Sequence, residues 1–124
     1  MKRVLVVEDD PLNAQVMTHF LSAHGYEILI ARNGAEGMET FKRERPDLVV
    51  ADIQLPRKNG FELCFEIKRD RDAGTTPVLL MSAVYTDKSH AERYSDELKA
   101  EGYFIKPFQM NAFLARVRDL IGYA

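Results

Sequence analysis

The stretch Val4-Leu5-Val6-Val7-Glu8-Asp9-Asp10-Pro11 combines two structural signals. Its four consecutive apolar residues predict a short buried strand. Asp10 followed by Pro11 is typical of a helix start, because Asp caps free N–H groups and Pro loses no hydrogen bond at the first helical position. The stretch therefore predicts a strand that leads directly into a helix, with acidic residues at the junction.

The same arrangement recurs three times along the chain. Three apolar runs also end on a reactive polar side chain: residues 48–51 on Asp52, residues 78–81 on Ser82, and residues 103–105 on Lys106. In an open parallel sheet, residues just beyond the carboxyl ends of the strands meet in one crevice, where such folds bind ligands. The sequence therefore predicts a site that combines carboxylates, a hydroxyl and an ammonium group. Carboxylates packed this closely favour a bound cation, which points to a hard divalent metal.

Strand and helix signals alternate five times along the chain. Another strand is predicted at residues 26–31, after which Asn33-Gly34 turn the chain into a helix that ends before Pro46. Residues 48–51 show no polar alternation, which is typical of a central parallel strand buried on both faces. This order predicts an α/β fold with right-handed crossovers and helices on both faces of a parallel sheet.

The spacing of apolar residues predicts the faces and ends of the helices. The first helix is predicted to end at Gly25, the fourth to span residues 87–100, and the last to be capped by Asn111. The apolar face of the first helix is predicted to consist of Leu12, Val16, Met17, Phe20 and Leu21. The third helix is predicted to carry Phe61, Cys64, Phe65 and Ile67.

Length and composition limit the functional classes. The 124 residues are 46% apolar and 29% charged, which matches one globular domain spanning residues 1–124. The net charge is −2 and no cluster of Lys and Arg is present, so we expect no direct nucleic-acid binding. No run approaches the ~20 apolar residues of a membrane span. The lone Cys64 predicts a packing residue in a reducing cytoplasm rather than a disulfide framework.

These residues resemble the receiver domain of bacterial two-component response regulators over essentially the whole chain. Four stretches carry the resemblance: residues 6–10 as an acidic pocket, residues 52–56 with Gly60 as a phosphoacceptor loop, residues 81–83 as a hydroxyl position, and residues 103–108 as a closing motif. The resemblance implies a flavodoxin-like, doubly wound (βα)5 sandwich of three layers. Its five-stranded parallel sheet would have the order 2-1-3-4-5.

The resemblance also implies a reaction. Asp52 would be the nucleophile that takes a phosphoryl group from a sensor histidine kinase or a phosphotransfer protein. Lys106 and Ser82 would each contact a phosphoryl oxygen. Such a protein would not be an enzyme with turnover, because it would only accept the group and slowly lose it. It would act as a single-domain regulator or as the receiver part of a longer one.

A magnesium site is implied at the same crevice. Asp9 and Asp52 would bind Mg²⁺ directly, the backbone carbonyl of Gln54 would be a third ligand, and Glu8 would act through coordinated water. Mg²⁺ suits such a site because it uses few protein ligands and keeps waters and phosphoryl oxygens in its other positions.

A switch is the last implied feature. Ser82 would move toward a new phosphoryl group, and Tyr103 would fill the space that it leaves. Pro56 and Gly60 would shape the phosphoacceptor loop, and the peptide bond before Pro107 would be cis. The altered surface, formed by the fourth helix, fifth strand and fifth helix, would bind a downstream protein.

Other interpretations stay open for these residues. The acidic residues 8–10 could form only a solvated helix start, with Asp10 as a cap, and Tyr103 could be a packing residue. A phosphatase of the haloacid-dehalogenase type also uses an Asp nucleophile after a strand, but it needs a second carboxylate where this chain has Gln54. A third alternative is an interaction module that needs no phosphorylation.

Overall fold

Five strands alternate with five helices in the computed structural model, which describes residues 1–70, 75–83 and 88–123, with backbone only for 88–92. Their bounds are β1 Arg3–Val7, α1 Pro11–Ala23, β2 Glu27–Ala31, α2 Gly34–Glu44, β3 Leu48–Asp52, α3 Gly60–Arg69, β4 Val78–Ser82, α4 Lys88–Glu97, β5 Gly102–Ile105 and α5 Met110–Ile121. The predicted alternation is therefore confirmed. Residue 87, predicted to begin the fourth helix, lies outside the described residues.

The strands form one parallel sheet in the order β2-β1-β3-β4-β5, as expected. The chain winds outward in both directions from the pair β1 and β3, and this reversal opens a crevice at the carboxyl ends of these strands. The register aligns the polar strand ends, since Asp52 pairs with Met81 and Ser82 pairs with Ile105.

Each face of the sheet carries its own apolar cluster, because side chains alternate along a strand. In β3, Val49 and Ala51 belong to one cluster, while Leu48 and Val50 belong to the other. We call the first the α2/α3 face and the second the α1/α5 face, after the helices that supply the remaining side chains. The three-layer architecture follows from this division.

Three details of the helices differ from the sequence prediction. Leu12 and Val16 of α1 were expected on the buried face, but they are 66% and 54% exposed. Asn111 was expected to cap α5, but the helix begins at Met110 and its N-cap is Gln109, whose side chain makes no capping hydrogen bond. Phe65, expected on the apolar face of α3, is likewise largely exposed.

In the described part of the chain, no helix is long and apolar enough to cross a membrane.

We expect the thiol of Cys64 to be almost unreactive in the folded protein. The Cys64 side chain is fully buried in the apolar cluster of the α2/α3 face, and burial raises the pKa of its thiol to about 11. Because the thiolate is the reactive form, labelling by a disulfide reagent at pH 8 should be on the order of 10²-fold slower than in denaturant. Stopped-flow absorbance with and without urea measures this ratio. Equal rates in the two conditions would contradict the buried position.

Candidate functional site

Backbone hydrogen bonds extend beyond the sheet and bring the polar strand ends together. The N–H of Glu8 donates to the Ala31 carbonyl at 3.0 Å, and that of Lys106 donates to the Ser82 carbonyl at 2.8 Å. Both residues therefore continue the strand direction by one position. Asp52 and Ser82 are themselves the last residues of β3 and β4.

The ammonium group of Lys106 lies between two carboxylates. Its Nζ is 2.6 Å from Oε1 of Glu8 and 2.5 Å from Oδ2 of Asp52. Glu8 is 2% exposed and Asp52 is 6% exposed, so both carboxylates are withdrawn from solvent. The predicted grouping of Glu8, Asp52 and Lys106 in one crevice is therefore observed.

Burial and pairing act in opposite directions on this cluster. Burial is the main cause that raises the pKa of Glu8, the hydrogen bond from Lys106 opposes it, and the charge of Asp52 adds to it. Burial alone would lower the pKa of Lys106, but its hydrogen bonds to the two carboxylates outweigh that effect and raise the pKa. The ammonium group thus stays charged at neutral pH and offsets the acidic charge.

The other oxygen of Asp52 is held by the loop between β3 and α3, residues 53–59, which we call the β3–α3 loop. The backbone N–H of Gln54 donates to Oδ1 of Asp52 at 2.8 Å. The loop closes on itself where the N–H of Gly60 donates to the Ile53 carbonyl at 3.0 Å. Both carboxylate oxygens of Asp52 therefore have a fixed partner, which sets the orientation of the group.

Asp9 and Asp10 have different surroundings from the buried cluster. Asp9 is exposed at the rim of the crevice. Oδ1 of Asp10 accepts the backbone N–H of Leu12 at 3.1 Å, so its predicted role as a helix cap is confirmed. The side chain of Gln54 is also exposed. Its backbone N–H, in contrast, is directed by the loop at Oδ1 of Asp52.

Strand alternation separates the site residues into two groups. Asp52 has the parity of Val50, which belongs to the α1/α5 face, whereas Ser82 has the parity of Leu80, which belongs to the α2/α3 face. Tyr103 pairs with Leu80 and packs against the same cluster. Ser82 and Tyr103 therefore share one face, while the acidic cluster, which consists of Glu8, Asp52 and the Lys106 bound to them, opens toward the other. The predicted cis peptide bond between Lys106 and Pro107 is also present.

The donor set fits a hard cation. Glu8, Asp52 and the exposed Asp9 supply carboxylate oxygens at the ends of two adjacent strands. Within residues 1–70, 75–83 and 88–123, no three or more acidic, His or Cys side chains are close enough together to form a complete metal site. Mg²⁺ needs only one or two carboxylates, since it retains several waters. The residues therefore fit a magnesium ion that is completed by water and substrate oxygens.

A cavity of about 500 Å³ opens beside Lys106, between α1 and the segment that follows β5. Asn13, Val16 and Phe108 line it together with Glu8 and Lys106. Asn13 is a lining residue that the sequence pattern did not indicate, and the available signal is its position in the first turn of a helix that starts at the site. This cavity reaches Glu8 and Lys106 from the α1/α5 side.

The sequence is similar to known proteins over most of its length. Residues 4–118 match the profile of the response regulator receiver domain. The polar-differentiation response regulator DivK of Brucella anthropi is 33% identical over 121 residues, covering 98% of this chain and 97% of that protein. The chain spans about half the length of several other curated relatives.

Solved structures show the same architecture. The receiver domain of a signal transduction histidine kinase from Syntrophus aciditrophicus has a TM-score of 0.89 and 30% identity, covering 98% of this chain and 90% of that one. The receiver domain of a sensor histidine kinase from Pseudomonas aeruginosa, solved with a magnesium ion in its active-site cleft, has a TM-score of 0.86. Its identity is 23%, over 98% of each chain, so this likeness concerns the fold.

We expect Lys106→Met to make stability more dependent on pH. Because the folded-state pKa of Glu8 is raised, Glu8 stabilises the fold most below pH 4.5, and this contribution falls as the pH rises. Without Lys106 that pKa rises further, so the loss of unfolding free energy should be small near pH 4 and about 3 kcal/mol at pH 7. Urea titrations in EDTA measure this difference.

The exposed Lys42 of α2 provides a matched control. Lys42→Met removes the same charge from the surface, where an ion contributes little, and should change stability by less than about 0.5 kcal/mol at both pH values. A pH-independent loss in Lys106→Met would contradict the role of its charge.

Proposed function

Because this chain belongs to the response regulator receiver domains, we propose that it accepts a phosphoryl group on Asp52 and thereby changes its surface for a downstream protein. The donor would be a sensor histidine kinase or a phosphotransfer protein, which are the partners that membership of this family implies. One observation carries the proposal. The buried carboxylate of Asp52 lies at a strand end, bound to the same ammonium group as Glu8.

The reaction is a transfer between two protein side chains. A carboxylate oxygen of Asp52 attacks the phosphorus of a phosphohistidine and forms an O–P bond. The P–N bond breaks, and its electron pair leaves with the imidazole nitrogen, which then binds a proton. The product is an aspartyl phosphate at the end of β3.

Charge neutralisation and positioning account for most of the catalysis in such a transfer. Lys106 already lies 2.5 Å from Asp52, so its ammonium group can contact an oxygen of the arriving phosphoryl group. Ser82 ends the neighbouring strand and would donate to another oxygen. Bound Mg²⁺, held by Asp9, Asp52 and the Gln54 carbonyl, with Glu8 acting through water, would neutralise the remaining phosphoryl charge.

We propose that the protein is not a phosphatase with turnover. A haloacid-dehalogenase-type enzyme needs a general acid two residues after its nucleophile, and Gln54 cannot donate a proton in this way. Its side chain is also exposed. The aspartyl phosphate would therefore be lost only slowly, by reaction with water, as suits a cytoplasmic signalling protein.

The position of Ser82 suggests how the signal would spread. The phosphoryl group would form beside the α1/α5 face, whereas Ser82 and Tyr103 share the α2/α3 face. Movement of Ser82 toward the group would change the packing around Leu80, which pairs with Tyr103. Leu98 and Ala100, which lie between α4 and β5, pack against the same cluster. The altered binding surface would be that of α4, β5 and α5, as the family resemblance implies.

Asp52→Asn tests the site of phosphorylation. With acetyl phosphate and Mg²⁺, we expect the unsubstituted protein to gain the mass of one phosphoryl group, and the variant to gain none, because an amide is a very poor nucleophile. Asp119→Asn, at an exposed position on α5, is the matched control and should be labelled normally. Intact-protein mass spectrometry measures both, and EDTA should prevent labelling.

Three outcomes separate the candidate functions. A mass gain that decays slowly supports a phosphoryl-accepting switch, and continuous release of phosphate by the unsubstituted protein indicates a phosphatase. The absence of any reaction indicates an interaction module. Labelling of Asp52→Asn at the normal level would show that another residue accepts the group.

The switch is tested with beryllofluoride and Mg²⁺, which mimic an aspartyl phosphate. We expect NMR shift changes to extend from Asp52 through Ser82 to Tyr103, because a ligand shifts a conformational equilibrium only through contacts that differ between the two states. Ser82→Ala should reduce the changes at Tyr103 several-fold while leaving those near Asp52. Changes confined to the loops around Asp9 and Asp52 would contradict signalling through this face.

A further inference from the structure

The first residue of α2 lies unusually close to the β3–α3 loop. A Cβ atom added to Gly34 would lie 1.8 Å from the carbonyl oxygen of Lys58 and 2.5 Å from its carbonyl carbon. The obstacle is backbone, so no side-chain rotation could relieve it. The loop therefore rests against the N-terminus of α2 at a position where only glycine leaves enough room.

Gly34 is not needed here for an unusual backbone conformation. The glycines with positive φ in the described residues are Gly25 and Gly122. Asn33 begins α2 as an ordinary N-cap, with its side chain accepting the Glu36 N–H at 2.8 Å. The turn that the Asn-Gly pair predicts is thus made by the cap, and the glycine serves the contact with Lys58.

The opposite side of the loop is equally restricted. Asn59 and Glu62 form a reciprocal capping box at the start of α3, with hydrogen bonds of 2.9 and 3.1 Å. A Cβ on Gly60 would lie 2.4 Å from the Asp52 carbonyl oxygen. The side chain of Lys58 also forms an ion pair with Glu66. The Gly34 contact connects the loop to a helix that precedes β3 in the chain.

We infer that Gly34 is a positioning residue for phosphoryl transfer, acting through the backbone of Lys58 on the loop that orients Asp52. This inference rests on the proposed function. The loop supplies the Gln54 N–H that holds Oδ1 of Asp52, and the Gln54 carbonyl proposed for Mg²⁺ belongs to the same segment. A side chain at position 34 would displace Lys58, and with it the Gln54 backbone.

The expected effect is large because the displacement is large. To accept a methyl group, the Lys58 carbonyl must move by about 1 Å, and an error of this size in a reacting geometry reduces rates by up to about 10²-fold. We therefore expect Gly34→Ala to be labelled by acetyl phosphate at least tenfold more slowly than the unsubstituted protein. The amide resonance of Gln54 should shift in the same variant before any phosphate is added.

Gly37→Ala is the matched control, since it makes the same change in the same helix. Its Cβ would meet side-chain atoms of Val7 at 3.1 Å and Leu63 at 3.3 Å, and these can adjust. We expect it to alter unfolding stability while leaving the labelling rate within about twofold and the Gln54 amide unshifted. This separates positioning from a general loss of packing.

The outcomes distinguish this inference from the proposed function. If the unsubstituted protein is not labelled, the proposed function fails, and the Gln54 amide shift alone decides whether Gly34 positions the loop. If the unsubstituted protein is labelled and Gly34→Ala reacts equally fast, the inference on Gly34 is wrong. Equal slowing of Gly34→Ala and Gly37→Ala would also overturn it.

A measurement on the unsubstituted protein covers the case in which Gly34→Ala does not fold. The amide resonances of Gly34, Lys58 and Gln54 should shift together when beryllofluoride and Mg²⁺ are added, because the loop transmits the change to its support. A shift at Gln54 with Gly34 and Lys58 unchanged would show that the contact is independent of the site and would overturn the inference.

Discussion

The ion pairs of Lys106 hold the carboxyl edge of the sheet together. Two buried carboxylates repel each other and lose hydration, and an ammonium group bound to both is what makes their burial tolerable. Glu8, Asp52 and Lys106 lie at the carboxyl ends of β1, β3 and β5, so this interaction forms only when these strands are assembled in order. The same charge that stabilises the resting site is suited to receive a phosphoryl group. In the proposed reaction, this one side chain would contribute to both stability and reactivity.

Much of this arrangement could be predicted from the sequence because it follows from short-range rules. Apolar runs ending on Glu8, Asp52, Ser82 and Lys106 identify strand ends, and parallel strands bring their carboxyl ends together. Asp10 was predicted correctly as a cap because capping depends on neighbouring residues only. Resemblance to a known family added the strand order and the roles of the residues. The roles themselves remain predictions.

The sequence-based predictions are wrong or incomplete where contacts between distant segments determine the structure. Apolar spacing cannot tell how wide a buried stripe must be, and in α1 the residues Ala14, Met17 and Leu21 suffice, which leaves Leu12 and Val16 in solvent. Asn111 is a residue type that commonly caps helices, but α5 already begins at Met110. Phe113 of this helix contacts Phe104 and Phe108, which lie in other segments. The function inferred for Gly34 depends on Lys58, in another segment, and local sequence contains no sign of that contact.

The assignment of Asp52 and Ser82 to opposite faces of one sheet restricts how such a chain can diverge. Replacing one apolar residue in β3 or β4 by another apolar residue leaves every later side chain of the strand on the same face of the sheet. Inserting or deleting one residue within a strand reverses it, because the side-chain period is two. Such a change would turn Asp52 away from Lys106 or Ser82 away from Tyr103. Over evolutionary time, the lengths of these strands should therefore be more strictly preserved than their composition, and length variation should accumulate in the connections at the opposite edge.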